Sequence, residues 1–211
     1  MAELVGRKPQ IKRLLEALTS PQPEMVALIG RRRVGKTFLV RETYQEHIVF
    51  ELTGLQNGGL SKQLQNFALT FARFFPNEQL EERDRQNWLA AFDRLARAVE
   101  PLTKNEQKPV VFLDELPWLG TRKSDFLQAL GYFWNSYASR WPIVVVICGS
   151  AASWMIEKVV NDKGGLHNRI TQLLYLAPFT LAETEALCQA KGVYLPRYQI
   201  LQLYMVMGGI P

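Results

Sequence analysis

The sequence predicts an α/β protein in which a parallel β-sheet lies between two layers of helices. Short apolar runs with the length of strands recur along the chain, and the segments between them carry apolar residues at helical spacing. This alternation is typical of a parallel sheet, because a helix usually carries the chain back between two parallel strands. The length of 211 residues suits one such domain, or one domain and part of another. The predicted strands are 25–29, 48–52, 110–113, 143–147 and 173–176.

A glycine-rich motif directly follows the first predicted strand and precedes a predicted helix. Residues 30–37 read GRRRVGKT and fit the phosphate-loop pattern at every fixed position. Backbone N–H groups at a helix start carry partial positive charge, so such a loop binds phosphates. Gly30 and Gly35 allow the tight turn, Lys36 would reach the β and γ phosphates, and the Thr37 hydroxyl would coordinate Mg²⁺. The other cofactor-binding candidates of this segment are Arg31, Arg32, Arg33, Val34 and Phe38.

Two acids end the third predicted strand. The apolar residues 110–113 are followed by Asp114 and Glu115. In open α/β sheets ligands bind at the carboxyl edge, where these acids would lie. Asp114 would hold Mg²⁺ through water or alongside Thr37. Glu115 could orient or deprotonate an attacking water. Without the phosphate loop upstream, the same pattern would be read as a strand end followed by surface acids.

A polar residue, Ser150, follows the fourth predicted strand. A hydroxyl at that strand end can hydrogen-bond the γ-phosphate or the lytic water, which makes Ser150 a catalytic candidate. The alternative is that Ser150 is an ordinary helix cap for the segment from Ser153.

Composition and charge exclude several classes of protein. The chain has no secretory signal pattern, and its longest apolar run, from Ile143, is broken by Gly149 and cannot span a bilayer. Its two cysteines are isolated and it has only two histidines, so no redox pair or histidine metal site is predicted and we expect a cytoplasmic protein.

Of the net charge of +5, residues 1–50 supply +4, from nine Lys/Arg and five Asp/Glu. This excess around the phosphate loop favours a nucleotide. Nucleic acid could use the same field, but no basic run interleaved with aromatics supports it.

The sequence resembles the AAA+-type prokaryotic ATPases usually called archaeal ATPases, which are close to the STAND class. The match runs nearly from end to end, and the arginine-rich phosphate loop with residues 113–118 is its most specific part. The residues that carry the resemblance are Val5-Gly6-Arg7, the phosphate loop, Leu113-Asp114-Glu115-Leu116-Pro117-Trp118, Cys148-Gly149-Ser150, Gly164 to Arg169, Pro178-Phe179-Thr180 and Gly208-Gly209-Ile210-Pro211.

The resemblance implies a P-loop NTPase fold: a three-layer sandwich with a five-stranded parallel sheet in the order 5-1-4-3-2. It also implies a core over 1–178 and an incomplete helical lid over 179–211. Family members usually continue into a winged-helix region and often a nuclease-like domain, so a C-terminal effector domain or protein partner is expected. The resemblance assigns Val5, Gly6 and Arg7 to the adenine pocket and makes Ser150 the sensor residue.

The resemblance also makes Arg169 the candidate arginine finger. Arg169 precedes the fifth strand, at the edge of the sheet rather than over its own nucleotide. This position favours a role in the site of a neighbouring subunit, and hence a homo-oligomer. The alternative is a surface arginine or a structural salt bridge.

Together these features predict an ATP-binding module that hydrolyses ATP with Mg²⁺, slowly when alone, and that drives or switches an attached or partner domain. The alternative is a nucleotide-dependent switch or interaction module with negligible turnover. Glu115 favours the enzyme, because a protein that only binds ATP needs Asp114 but no base. A small-molecule kinase would need a substrate lid with its own acid or arginine pair, and the sequence has no convincing one.

Overall fold

The computed structural model describes residues 4–121, 124–161 and 164–211. The strands are β1 (Glu24–Ile29), β2 (Ile48–Thr53), β3 (Val110–Asp114), β4 (Val144–Gly149) and β5 (Gln172–Tyr175). The α-helices are α1 (Lys8–Thr19), α2 (Lys36–Tyr44), α3 (Leu60–Phe74), α4 (Trp88–Val99), α5 (Leu116–Leu119), α6 (Phe126–Ser136), α7 (Ala152–Met155), α8 (Leu181–Ala190) and α9 (Arg197–Met207). A π-helical turn, Ile156–Val160, follows α7, and 3₁₀-helices span Glu82–Arg85, Glu100–Lys104 and Ala138–Arg140. Within these ranges, no helix has the length and apolar composition needed to cross a bilayer.

The five strands form one parallel sheet in the order β2-β3-β4-β1-β5. This is the predicted order 5-1-4-3-2 read from the other edge, so the prediction is confirmed. The register places Val26 of β1 and Phe112 of β3 on either side of Val146 in β4. The carboxyl ends of β1, β4 and β3 therefore lie side by side, and the segments that follow them meet at one edge of the sheet.

Side chains alternate along each strand and enter two separate cores, as the pleat of a strand requires. On β1, Met25 and Ile29 point to one core, whereas Val26 and Leu28 point to the other. Both faces of the central strands β1, β3 and β4 are buried, which explains why their sequences are nearly continuous apolar runs. The three-layer arrangement is therefore confirmed.

The two cores differ in composition. The core under α3, α4 and α6 is rich in aromatic rings, and Trp88 packs edge-on against Phe126 with ring centroids 4.7 Å apart. The core under α1 and α2 is smaller and mainly aliphatic. Burying one large apolar side chain stabilises the folded state by about 1.5–3 kcal/mol. Because each core buries many such side chains, the two helical layers fix the position of the sheet between them.

The last segment of the chain returns to the core through two glycines. Gly208 and Gly209 have φ values of 63° and 69° after α9, in the left-handed region that glycine adopts without strain. The Gly209 carbonyl then accepts a hydrogen bond of 2.7 Å from the N–H of Phe179, just before α8. This hydrogen bond joins the residues before α8 to the residues after α9, so the segment with both helices ends next to its own start. Its division from the core at residue 178 stays a prediction.

Candidate nucleotide-binding and hydrolytic site

The phosphate loop turns sharply between β1 and α2. Arg33 and Gly35 have positive φ values of 66° and 89°, and Gly35 occupies the N-cap position of α2. Gly30 is required by packing, because a Cβ there would lie far inside contact distance of the Leu176 carbonyl oxygen. These residues aim the first N–H groups of α2 into the loop, as a phosphate site requires.

The Lys36 side chain folds back into this loop. Its Nζ donates to the carbonyl oxygens of Gly30 and Arg31 at 2.9 Å each, and the residue is only 5% exposed. A buried ammonium needs such partners, because burial without them is unfavourable. The contacts place the positive charge of Lys36 beside the same loop whose N–H groups would receive phosphate oxygens.

Thr37 and Asp114 meet across the sheet edge. The Thr37 hydroxyl donates to Asp114 Oδ2 at 2.6 Å, and Oδ1 accepts the backbone N–H of Glu115 at 2.9 Å. Burial raises the pKa of Asp114 above its ordinary value, although the bonds from Thr37 and Glu115 and the charge of Lys36 act in the opposite direction. A hydroxyl and a carboxylate oxygen at this distance fit the hard oxygen ligands that Mg²⁺ prefers.

Glu115 and Ser150 form the second contact at this edge. The Ser150 hydroxyl donates to Glu115 Oε2 at 2.9 Å. Glu115 itself has a left-handed backbone, with φ 48° and ψ 50°, and the short helix α5 begins immediately after it. Ser150 does not cap a helix, because the N-cap position of α7 is Ala151. The hydroxyl therefore acts on the glutamate in this structure, a contact that sequence reasoning did not predict.

A cavity of about 310 Å³ opens beside the start of α2. Four of its lining residues were not candidates for the site: Leu39, Leu187, Lys191 and Leu4. Phe179 and Pro211 also line it, and they belong to motifs that carry the resemblance but had no predicted role. The predicted residues on its wall are Val5, Arg7, Arg33, Val34, Gly35 and Phe38.

Arg7 connects this cavity to its surroundings. Its guanidinium donates to the Val34 carbonyl at 3.3 Å and lies 4.4 Å from the centroid of the Phe179 ring. Burial lowers the pKa of Arg7, and the carboxylate of Glu183 partly offsets this effect. Gly6, with φ 69°, does not line the cavity, but its backbone brings Arg7 to this position. A mostly apolar cavity next to a phosphate loop has the position and chemistry to hold a purine base.

The three arginines of the phosphate loop are exposed and diverge. Arg33 lines the cavity, whereas the Arg32 guanidinium lies 5.3 Å from the centroid of the Trp118 ring. Arg31 contributes its carbonyl to Lys36. Of these three arginines, Arg33 alone lines the cavity.

Arg169 lies apart from these residues. It is exposed, and Thr171, two residues later, exchanges hydrogen bonds with Met25 at the start of β1. The phosphate loop follows the opposite, carboxyl end of β1. Within the described ranges, the Arg169 side chain makes no hydrogen bond or ion pair, so the structural salt bridge considered above is not observed there.

The five-stranded parallel sheet with the phosphate loop after β1 is the fold of P-loop nucleoside triphosphatase domains. A family model described as an ATPase domain predominantly from Archaea matches residues 4–211. The chain therefore belongs to this family of ATPase domains, and the predicted resemblance is confirmed.

One curated relative is similar in sequence over nearly the whole chain, and two solved structures share the fold. An uncharacterized protein of Methanocaldococcus jannaschii is 25% identical over 209 residues, which are 98% of this chain and 42% of the relative. The Walker-type ATPase PABY2304 of Pyrococcus abyssi aligns with a TM-score of 0.70 and 19% identity, over 99% of this chain and 65% of that protein. The ORC2 protein of Aeropyrum pernix, solved in ADPNP–ADP complexes, aligns with a TM-score of 0.66 and 19% identity, over 94% of this chain and 56% of that protein. The chain thus spans less than two thirds of each of these proteins.

Proposed function

We propose that this chain binds ATP together with Mg²⁺ and hydrolyses it, as the ATPase module that drives or switches an attached or partner domain. The observation that carries the proposal is the contact of 2.6 Å between Thr37 and Asp114, which are 77 positions apart in the sequence. It joins the phosphate loop to the acid pair at the carboxyl edge of the sheet. Chance similarity to a phosphate loop gives no reason for this contact.

The proposed binding mode follows from the positions of the side chains. The base enters the cavity beside Arg7 and Phe38, and the phosphates receive N–H groups from the phosphate loop and the charge of Lys36. Thr37 and Asp114 would hold Mg²⁺, which would supply positive charge beside the phosphates. Binding and positioning supply most of the catalysis in phosphoryl transfer, because there is little covalent chemistry for the protein to do.

Glu115 is the proposed base. Its carboxylate accepts a proton from water as the water oxygen bonds to the γ-phosphorus, while the bond between this phosphorus and the β–γ bridging oxygen breaks and ADP leaves. Ser150 holds the carboxylate through the bond of 2.9 Å. A module that only binds nucleotide has no use for a glutamate fixed in this way, which favours the enzyme over the switch with negligible turnover.

Phosphate release at excess ATP tests this proposal. The wild-type chain should release many phosphates per molecule, and Glu115→Gln should lower the rate about 10²- to 10⁴-fold while ATP affinity stays within about twofold. Glu106→Gln, which changes an exposed acid away from the site, is the matched control. ATP binding by the wild type with no more than one phosphate released per molecule would support the switch instead.

We also propose that Arg169 serves the nucleotide site of a neighbouring copy of the chain. It lies toward the start of β1, whereas the phosphate loop follows the end of that strand, so its own nucleotide is out of reach. An arginine finger typically contributes a factor of about 10³–10⁵ in rate. Mixing Arg169→Ala with Lys36→Ala should therefore restore turnover that neither variant has alone. Arg140→Ala, which removes an exposed arginine elsewhere, should keep the wild-type rate without any partner. Rates strictly proportional to concentration, without rescue on mixing, would rule out the finger.

A further inference from the structure

The carboxylate of Glu183, at the start of α8, makes contacts in two separate parts of the chain. Oε2 accepts the backbone N–H and the hydroxyl of Thr180, at 2.9 and 3.1 Å, and thereby completes the capping box of α8. Oε1 accepts the backbone N–H of Arg7 at 3.1 Å, across 176 positions of sequence. A capping box needs only the first of these contacts. The second one joins the lid segment to the wall of the cavity.

The partner of this bond, Arg7, has an unusual backbone. Its φ of 58° is left-handed, which a side-chain-bearing residue adopts at an energetic cost. This conformation lets the residue start α1 while its guanidinium turns to Val34 and Phe179. Since Glu183 accepts the N–H at this bend, it stabilises the conformation that puts Arg7 on the cavity wall.

The position of Gly6 and the charge of Glu183 also support a role of Glu183 in holding Arg7. A Cβ on Gly6 would lie 2.5 Å from Glu183 Oε1, so the chain passes directly against the carboxylate. Burial raises the pKa of Glu183, but the hydrogen bonds from Thr180 and Arg7 outweigh it and the net shift is downward. The carboxylate is therefore charged while it holds the N-terminal segment.

We propose that Glu183 is a positioning residue for recognition of the nucleotide base: it holds Arg7 against the cavity without contacting the nucleotide, and so ties base binding to the attachment of the lid segment. The proposal rests on the proposed function, because it assigns the cavity of about 310 Å³ to the base of ATP. If Glu183 has this role, its loss weakens binding of the base and leaves binding of the phosphates intact.

Equilibrium binding of two ligands, ATP and inorganic tripolyphosphate, separates these contributions. Tripolyphosphate presents a triphosphate chain without base or ribose. Glu183→Ala should weaken ATP binding about tenfold, the scale of one hydrogen bond to a charged group, and leave tripolyphosphate binding within about twofold. Glu183→Gln keeps an acceptor oxygen for the Arg7 N–H and should recover most of the ATP affinity.

Thr180→Ala is the matched control, because it removes the other half of the capping box and keeps the contact of Glu183 with Arg7. It should leave ATP affinity within about twofold. The proposal is overturned if Thr180→Ala loses as much affinity as Glu183→Ala, since helix capping alone would then explain the effect. It is equally overturned if Glu183→Ala binds ATP as the wild type does, or loses ATP and tripolyphosphate to the same extent.

Thermal unfolding of each variant shows whether it is folded. If Glu183→Ala does not fold, Gly6→Ala disturbs the same contact from the opposite side and should give the same selective loss of ATP binding; an equal loss of both ligands would again overturn the proposal. A wild-type chain that binds tripolyphosphate but gains nothing from the base would contradict the position of Arg7 at a base site. A wild-type chain that binds neither ligand would instead refute the proposed function.

Discussion

Ser150→Ala tests how the hydroxyl at the end of β4 acts in hydrolysis. Within the part of the chain that the structure describes, Ser150 supplies the one side-chain hydrogen bond to the Glu115 carboxylate, at 2.9 Å. A hydrogen bond to a charged group contributes about 1.5–3 kcal/mol, and both residues are partly exposed, which favours the lower part of this range. About 1.5–2 kcal/mol corresponds to a loss of roughly ten- to thirtyfold in the rate of hydrolysis.

The assay is phosphate release at saturating ATP, combined with calorimetric titration of ATP. Ser150→Ala should lower the rate and leave the affinity within about twofold, because among the described residues the Ser150 side chain makes no hydrogen bond to the phosphate loop. Ser153→Ala, which removes an exposed hydroxyl three residues later, should change neither quantity. A double-mutant cycle with Glu115→Gln then shows which group Ser150 acts on.

In the cycle, Ser150→Ala should add little to the defect of Glu115→Gln, because the serine acts through the carboxylate that is already missing. If the two losses multiply, the reasoning fails: Ser150 would then act on the γ-phosphate or the lytic water independently of Glu115. That result would restore the direct role that the sequence alone suggested for Ser150.

Two further predictions follow from contacts of the phosphate loop. Lys36→Ala should weaken ATP binding about 10- to 150-fold, because it removes a charge-assisted contact of about 1.5–3 kcal/mol, and calorimetry should show no such loss for the exposed Lys12→Ala. Equal ATP affinity in Lys36→Ala and wild type would contradict the assigned role. Gly30→Ala should lower the free energy of unfolding by about 1–3 kcal/mol, since its methyl group would collide with the Leu176 carbonyl. At Gly59, the N-cap residue of α3, a Cβ meets nothing within 4 Å. The lower preference of Ala for an N-cap and the smaller entropy of its unfolded chain act in opposite directions, so urea unfolding of Gly59→Ala should differ from wild type by less than about 0.5 kcal/mol.

Local patterns account for most of what the sequence predicted correctly. The central strands β1, β3 and β4 are buried on both faces, so each one is a nearly continuous apolar run that can be recognised without its neighbours. The phosphate loop is equally local, because the glycines and Lys36 that define it lie within eight positions. The sheet order was predicted from the resemblance, because the sequence of a strand does not show which strand it pairs with.

The contacts between distant residues could not be predicted in this way. Glu115 accepts the Ser150 hydroxyl from a left-handed backbone, and no residue type at position 115 signals that conformation. The bond between Arg7 and Glu183 likewise depends on a left-handed bend and on where the lid segment packs. Thr180 and Glu183 carry the spacing of a capping box, which identifies a helix start but not a partner on the far side of the chain.

The backbone conformations at the site have a common feature. Among the described residues, positive φ values at non-glycine positions occur at Arg7, Arg33 and Glu115, and also at Asn57, Asp125 and Asn168. The first three lie in the three segments that meet the nucleotide in the proposed function: the cavity wall, the phosphate loop and the acid pair. Such conformations cost about 1–3 kcal/mol each and persist only where surrounding contacts hold them. Such contacts are present at two of the three: the Glu183 carboxylate accepts the N–H of Arg7, and Asp114 Oδ1 accepts the N–H of Glu115, whose own carboxylate accepts the Ser150 hydroxyl. Side-chain position at this site is therefore fixed by hydrogen bonds from elements distant in sequence, and replacement of Glu183 or Ser150 should change nucleotide handling more than it changes the fold.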